Sequence, residues 1–509
     1  MYLLTRYAPS NFPIGNQCLR VNRWSWTEMS QPCGPNQVVA LPSQLPVIQK
    51  MGDMKHTAWQ SLVVASLLIA ASSSADTRPQ YGGTLRISTR IAPATLDPAT
   101  STRSDPVTGQ NLTHLIFDTL VTVDNGGKIQ PALSTSWQAE AGDQRWQFWL
   151  RRDVKFHDGS PLTSDAVAAS LRAVNRTWNV SPNRDSVIIE LDAPTQDLPG
   201  RLALPQNAIA RRSPGVKIVG TGPFQISDWQ PGKTLILSAN EAYWNGRPFI
   251  DSIEIEMGKD FREQMIALEL GKADLIEVAP EQARRTVIDG RRIVLSAPVQ
   301  LMALVFAGDR QSPADGKLRQ VLSLSIERTA IRNVLLQGNG DPAGGVMPNW
   351  ISGYEFVFPS VSNVRRAQEI RSEVPRAPAW RLGYDLNDPL AKLIAERIAL
   401  NARDAGITLQ PSVSGATDVR LVRISVASAD PRVMLTNVAA TLGLPQPKFS
   451  GNSVEELYQA ESKMLETQRL IPLFHLPLAY ALRPSVRGWS QDRDGTLHLQ
   501  DVWVGTEKP

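Results

Sequence analysis

Cysteine is nearly absent from this chain of 509 residues. Cys18 and Cys33 are the only two, and both precede residue 75. Residues 76–509 therefore exclude a disulfide framework, a thiolate nucleophile and a cysteine-based metal site. Histidine is scarce as well. His56, His114, His157, His475 and His498 never fall at i,i+4 or in an H-x-x-E pattern, so no preformed zinc or nickel site is expected. A charge of one sign is missing too. The net charge of +4 comes mostly from residues 1–75; residues 76–509 hold 48 basic and 47 acidic residues. That balance removes the electrostatic reason to expect nucleic acid or an anionic membrane as partner. No Gly-x-Ser-x-Gly elbow occurs. No period of 20–50 residues recurs, which argues against a solenoid.

Two glycine-rich segments invite a phosphate reading and fail it. Pro231-Gly232-Lys233-Thr234 would need a glycine at 227, where Ser227 stands. Gly338–Gly345 follows a helical pattern, whereas a dinucleotide site needs a preceding strand. Both read as loops. No catalytic residue, cofactor or metal is expected, and no enzyme activity.

A targeting segment is present. Met54-Lys55-His56 precedes a mostly apolar run from Ala58 to Ala71, and Ser72-Ser73-Ser74-Ala75 follows. A basic start, a short apolar core and small residues at the end describe a secretory signal peptide over 54–75, cut after Ala75. The run is too short to span a bilayer, which needs about 20 residues. No cysteine follows it, so no lipid anchor is expected. Residues 1–53 show no sustained periodicity and read as an upstream extension, with translation starting at Met54.

From Gly82 onward strands and helices alternate. Thr84–Thr89, Trp146–Leu150, Val187–Leu191, Lys217–Val219, Phe224–Ile226, Thr234–Ser238 and Ser252–Met257 read as strands. So do Leu301–Phe306, Trp380–Tyr384, Ile407–Pro411, Val419–Val426 and Ile471–Leu476. Helices are expected at Asp105–Leu120, Ala166–Val174, Phe261–Leu270, Lys317–Leu336, Ala391–Ala405 and Ser453–Gln468. Thr163-Ser164-Asp165 supplies the short polar side chains that cap a first turn. The fold class is α/β.

An ordered set of short motifs runs through this pattern. It starts Gly82-Gly83-Thr84-Leu85, then Thr95-Leu96-Asp97-Pro98, then Phe156-His157-Asp158-Gly159. Gly220-Thr221-Gly222-Pro223-Phe224, Asn240–Pro248 with Tyr243-Trp244, and Leu270-Gly271-Lys272-Ala273-Asp274 follow. Leu318-Arg319-Gln320 and Ile326-Glu327-Arg328 come last. This series resembles the family 5 extracellular solute-binding proteins, the peptide- and nickel-binding receptors of bacterial ABC importers.

The resemblance implies a two-lobed periplasmic-binding-protein-like fold (type II) that closes on a peptide-like or other small solute and docks on ABC permease subunits. It implies a periplasmic protein that works as a monomer. Lobe 1 would hold 82–298, with a subdomain at about 119–205; lobe 2 would hold 299–484; residues 485–509 would return to lobe 1. Pro298 and Pro484 would mark the hinge. The cleft candidates are Thr89, Arg90, Ile91 and Ala92 after the first strand. Arg90 could reach ligand or remain a solvated rim residue. In the second lobe they are Tyr384, Asp385, Ile424, Ala427 and Asp430. The family's amine-anchoring aspartate falls here on Ala427, and its tryptophan on Ile424. The segment after Asp430-Pro431 is short, so part of that lobe's wall could be missing. Receptor and non-transporting relative (a sensor, chaperone or interaction protein) both stand as readings.

Overall fold

The computed structural model describes residues 78–505, apart from 101–105, 126, 213–217, 280–281, 284–290, 309–312, 355–357, 377–378, 387, 389, 414–415, 429, 450 and 452. The signal peptide expected at 54–75 and the extension expected at 1–53 lie outside the described residues, as does Lys217 of the strand expected at 217–219. Val219 makes a single bridge to Arg211. The described residues belong to one compact unit within Ala71–Pro509.

Alternation along Thr84–Ser88 buries Leu85 and Ile87 and sends Arg86 outward. This strand sits inside an 11-stranded sheet. Across that sheet lie Thr408–Ser412, Ala379–Gly383, Val419–Ser425, Arg292–Phe306, Leu470–Leu482, Leu275–Val278, Thr84–Ser88, Ser252–Glu256, Thr234–Ala239 and Phe224–Gln230, with Asp341–Pro342 paired to Leu470–Leu482. Thr84–Ser88 runs parallel to both neighbours, and so does Ala379–Gly383. Parallel pairs need crossovers, and helices Phe261–Glu269 and Ala391–Asp404 lie within two of them.

Two strands are far longer than their apolar patterns suggested. Arg292–Phe306 has 15 residues and Leu470–Leu482 has 13. They pair with each other from Arg292↔Leu482 to Val305↔Leu470, with register shifts on either side of Pro298↔Pro477. Proline donates nothing to a ladder, so facing prolines weaken the pairing there. On one side of the pair, Leu470–Leu482 runs beside Leu275–Val278; on the other, Arg292–Phe306 runs beside Val419–Ser425. Pro477, and not Pro484, faces Pro298 in this pair. Pro484 lies past the strand end, next to Arg483, whose N–H donates to the Asp274 carbonyl at 2.9 Å. Tyr480 and Leu482 accordingly pack with Leu85 and Ile253, and Val486, Leu499 and Val502 join the same core.

Leu301–Phe306 shows why an uninterrupted apolar run is buried on both faces. Met302, Leu304 and Phe306 enter a core with Leu318, Trp380 and Ile398. Leu301 and Ala303 enter another with Met434, Leu435 and Leu457. A separate antiparallel sheet, in the order Ser134–Ala139, Arg145–Leu150, Ser186–Glu190, Asn179–Asn183, covers helix Ser164–Val174 around a core from Leu120 to Ile209. Thr163 caps that helix, its Oγ1 accepting from the Ala166 N–H at 3.2 Å.

Several helices differ from expectation. The helix expected at Asp105–Leu120 is described as Pro106–Ile116. The one expected at Lys317–Leu336 is two, Pro313–Ser325 and Arg328–Val334. Pro431–Leu442, which no periodicity announced, is a helix whose cap is Asp430.

Candidate functional site

The motif residues are fastened to the backbone. Cβ atoms added at Gly220 or Gly222 would come within 2.0 and 2.5 Å of Ile116 backbone atoms, so only glycine lets this turn rest on the helix end. Thr221 Oγ1 donates to Asp118 at 2.8 Å, joined by the Tyr243 hydroxyl at 2.9 Å and Trp244 Nε1 at 3.0 Å. Burial raises the Asp118 carboxyl above the usual range although these three donors oppose it. His157 Nε2 lies 3.0 Å from the Gly222 carbonyl, and burial lowers its pKa. Asp97 takes Arg212 in a two-pronged pair at 2.8 and 2.5 Å. Asp274 accepts the Arg86 N–H at 2.9 Å. Arg328, driven down to about 10 by burial, donates twice to the Pro472 carbonyl, at 3.1 and 2.8 Å. The sequence signature is thus largely a set of struts, although Pro223, Tyr243, Trp244 and Asn245 of it also line the cavity.

A cavity of ≈ 2130 Å³ opens beside the paired long strands, which contribute Gln300, Met302, Leu478 and Tyr480 to its lining. One wall carries Arg90, Ile91, Arg151, Trp244, Phe261 and Glu277; the other carries Tyr384, Arg423, Ile424, Ala427, Ser428 and Asn437. Of the sequence candidates, Arg90, Ile91, Tyr384, Asp385, Ile424 and Ala427 line it. Thr89, Ala92 and Asp430 do not. Thr89 Oγ1 donates to the Ile91 carbonyl at 2.9 Å and holds the loop. The Ala92 Cβ lies by Gly258. Asp430 faces its own helix, accepting from the Arg432 N–H at 2.8 Å and from Arg432 Nη2 at 3.0 Å. Helix Pro431–Leu442 presents Val433, Asn437, Ala440 and Thr441 to the cavity, so this short segment does supply wall.

Arg90 is anchored through its backbone, whose N–H donates to Glu277 at 2.8 Å; its guanidinium lies 4.8 Å from the Phe261 ring centroid. Arg151 lies 4.4 Å from that of Trp244 and donates through Nε to the Ala132 carbonyl at 3.0 Å. Sequence reasoning missed Arg151, Arg420 and Arg423. Arg151 was hidden in a signature string, and the other two alternate with apolar residues along Val419–Ser425. Also missed was a polar corner formed by His114, Asp492, Asp494 and His498. The His498–Asp492 contact at 2.8 Å raises the His498 pKa, while burial lowers that of His114. Among the described residues, no group of three or more potential ligands is placed to hold a metal ion.

Comparison with known proteins agrees with this architecture. Protein XP55 of Streptomyces lividans is 25% identical over 338 residues, covering 59% of this chain and 62% of that protein. The probable D,D-dipeptide-binding periplasmic protein DdpA of Escherichia coli is 23% identical over 295 residues, covering 52% of this chain and 57% of its own length. The chain thus matches less than two thirds of the length of either. Among solved structures, AppA, the oligopeptide-binding protein of Bacillus subtilis in complex with a nonapeptide, superposes with a TM-score of 0.70 at 18% identity, over 84% of this chain and 100% of that one. NikA from Staphylococcus aureus in complex with Ni(L-His)2 gives 0.69 at 18%, over 83% and 99%. The sequence model of bacterial extracellular solute-binding proteins, family 5 middle, matches residues 128–450. The chain belongs to that family.

Proposed function

We propose that the protein is an exported, periplasmic receptor that captures a small, peptide-like or other solute and delivers it to an ABC-type permease. One observation carries this reading: the two walls of the ≈ 2130 Å³ cavity stand on opposite sides of the Pro298↔Pro477 pair. A solute touching both walls favours the arrangement in which they approach, because differential contact shifts an open–closed equilibrium. The hinge would be the weakened ladder around Pro298 and Pro477. There Trp350 Nε1 donates to the Pro298 carbonyl at 2.7 Å. The signal peptide at 54–75 would export the chain, and it would act as a monomer without a lipid anchor. Relatives whose names specify dipeptide, oligopeptide or nickel binding support the small-solute class without choosing among its members.

A thermal-shift screen against peptides, sugars, dicarboxylates and metal chelates tests the reading. Binding to the folded state alone raises Tm by mass action, about 2.7 kcal/mol at a hundredfold excess over Kd. At least one class should give a saturable shift; silence across all classes would remove the receptor assignment.

A further inference from the structure

The charge of the solute follows from how the cavity's own charges are spent, on the premise that the receptor reading above holds. Most of its carboxylates are committed to the protein. Asp118 accepts from Tyr243, Trp244 and Thr221; Asp492 pairs with His498; Asp494 accepts from Gln110 at 2.8 Å. Glu277 takes the Arg90 N–H, and Asp124 takes Gln130 at 2.7 Å. Asp385 is exposed.

The guanidinium groups are not committed in this way. Arg90, Arg151 and Arg420 line the cavity, and none meets a carboxylate among the described residues. Arg90 and Arg151 offer their faces to Phe261 and Trp244. Stacking of this kind leaves the in-plane N–H fork available to a carboxylate. On the opposite wall the Arg423 side chain is 18% exposed. Its Nη2 forms an ion pair with Asp388 Oδ2 at 3.0 Å, while its buried Nε has no hydrogen-bond acceptor among the described residues. A buried donor left unmet costs about 1–3 kcal/mol, more when charged. Next to it, Ile424 and Ala427 offer no carboxylate to an ammonium group.

We propose that the cleft selects small solutes carrying two carboxylates and no free α-ammonium group. Arg423 meets one carboxylate on the second wall, and the Arg90 and Arg151 edges meet the other on the first. Such a solute supplies a carboxylate to Arg90 and Arg151, which meet none among the described residues, and an acceptor to the Arg423 Nε. By bridging the walls it also couples its charge to closure. A free ammonium would leave water for a wall whose Asp388 is already paired with Arg423 and whose Asp385 is solvent-exposed, which is costly unless it is paired.

Three probes with one backbone test this on the full chain by calorimetry and thermal shift: N-succinyl-dialanine, dialanine and dialanine amide. The doubly anionic probe should bind at least about tenfold more tightly than dialanine, the amide should give no shift, and the preference should shrink as salt screens the charges. R423Q removes the Asp388 ion pair and should lower the unliganded Tm; below its melting range it should also lose about tenfold or more in affinity for N-succinyl-dialanine. R381Q, at an exposed arginine away from the cavity, should not. If R423Q fails to fold, R90Q and R151Q are read the same way. Dialanine or its amide binding as well as the anion overturns the charge assignment and leaves the receptor reading standing, as does a shift confined to uncharged solutes. Silence from these probes and from the wider screen removes both.

Discussion

His475 is a single residue whose environment dictates a measurable pH dependence. Its Nε2 lies 3.0 Å from the Val346 carbonyl inside the second core, and burial lowers its pKa to about 4. The unfolded chain protonates this histidine near pH 6.5. Between those values the unfolded state holds more protons, so stability present above about pH 6.5 is lost as pH falls toward 4. The loss from this group amounts to about 3 kcal/mol at full extent. Urea unfolding between pH 7.5 and 5 should therefore show a smaller pH slope for H475Q than for the parent protein; His114 and His157, also lowered by burial, supply the remainder. Equal slopes would refute it. The apolar strand that carries this histidine was legible from Ile471 to Leu476. Its partner was not, because Val346 is 129 positions away in sequence. The same holds for Gly222, whose motif was visible while the reason for it, the Ile116 backbone, was not.

At the scale of elements, the glycine-rich stretch after Leu336 shows what a loop can be for. Cβ atoms at Gly344 and Gly345 would come within 2.4 Å of the Phe358 carbonyl and 2.7 Å of Glu461 Oε1. Glycine thus lets the loop lie against Glu461, whose Oε1 accepts the N–H groups of Val346 and Met347 and whose Oε2 accepts the Tyr354 hydroxyl. Glu461 is fully buried, and burial raises its pKa despite these donors. E461A should cost about 2–4 kcal/mol by orphaning two buried amides. E461Q keeps an acceptor oxygen for both, and should cost less than about 1 kcal/mol. Urea unfolding of the two variants checks this; equal losses would show that the amides are satisfied elsewhere. Periodicity located most helices because one face of each is buried. It joined Pro313–Ser325 to Arg328–Val334 because the interruption comes from a tertiary bond, Arg328 to the Pro472 carbonyl. It missed Pro431–Leu442 because Asp430-Pro431 was read as the remnant of a binding motif, whereas that pair opens a helix.

For the whole molecule, the two-walled design was legible from the ordered motifs, but the line between the walls was not. Strand length beyond Leu476 depends on pairing with Arg292–Leu295 and Leu275–Val278, which local pattern does not reveal. Nor does it reveal how the walls touch. Asp197, at the start of helix Leu198–Leu202 beside the Leu120–Ile209 core, meets Arg432 of helix Pro431–Leu442 across the cleft. Asp430 and Arg201 complete the group, at 3.0 Å from Arg432 and 3.1 Å from Asp197. The side chains of Asp197 and Arg432 are only 13% and 17% exposed, so water screens the pair less than an open surface pair. A charge-assisted bond in such a place contributes about 1.5–3 kcal/mol, roughly ten- to a hundredfold in the ratio of closed to open forms. D197N keeps the shape and removes the charge. Without solute, it should raise the radius of gyration measured by small-angle scattering, and with solute it should speed release. R201Q, which loosens a contact on one side of the cleft only, should do neither. An unchanged scattering curve for D197N would mean that the hinge at Pro298 and Pro477 holds the walls together without this pair.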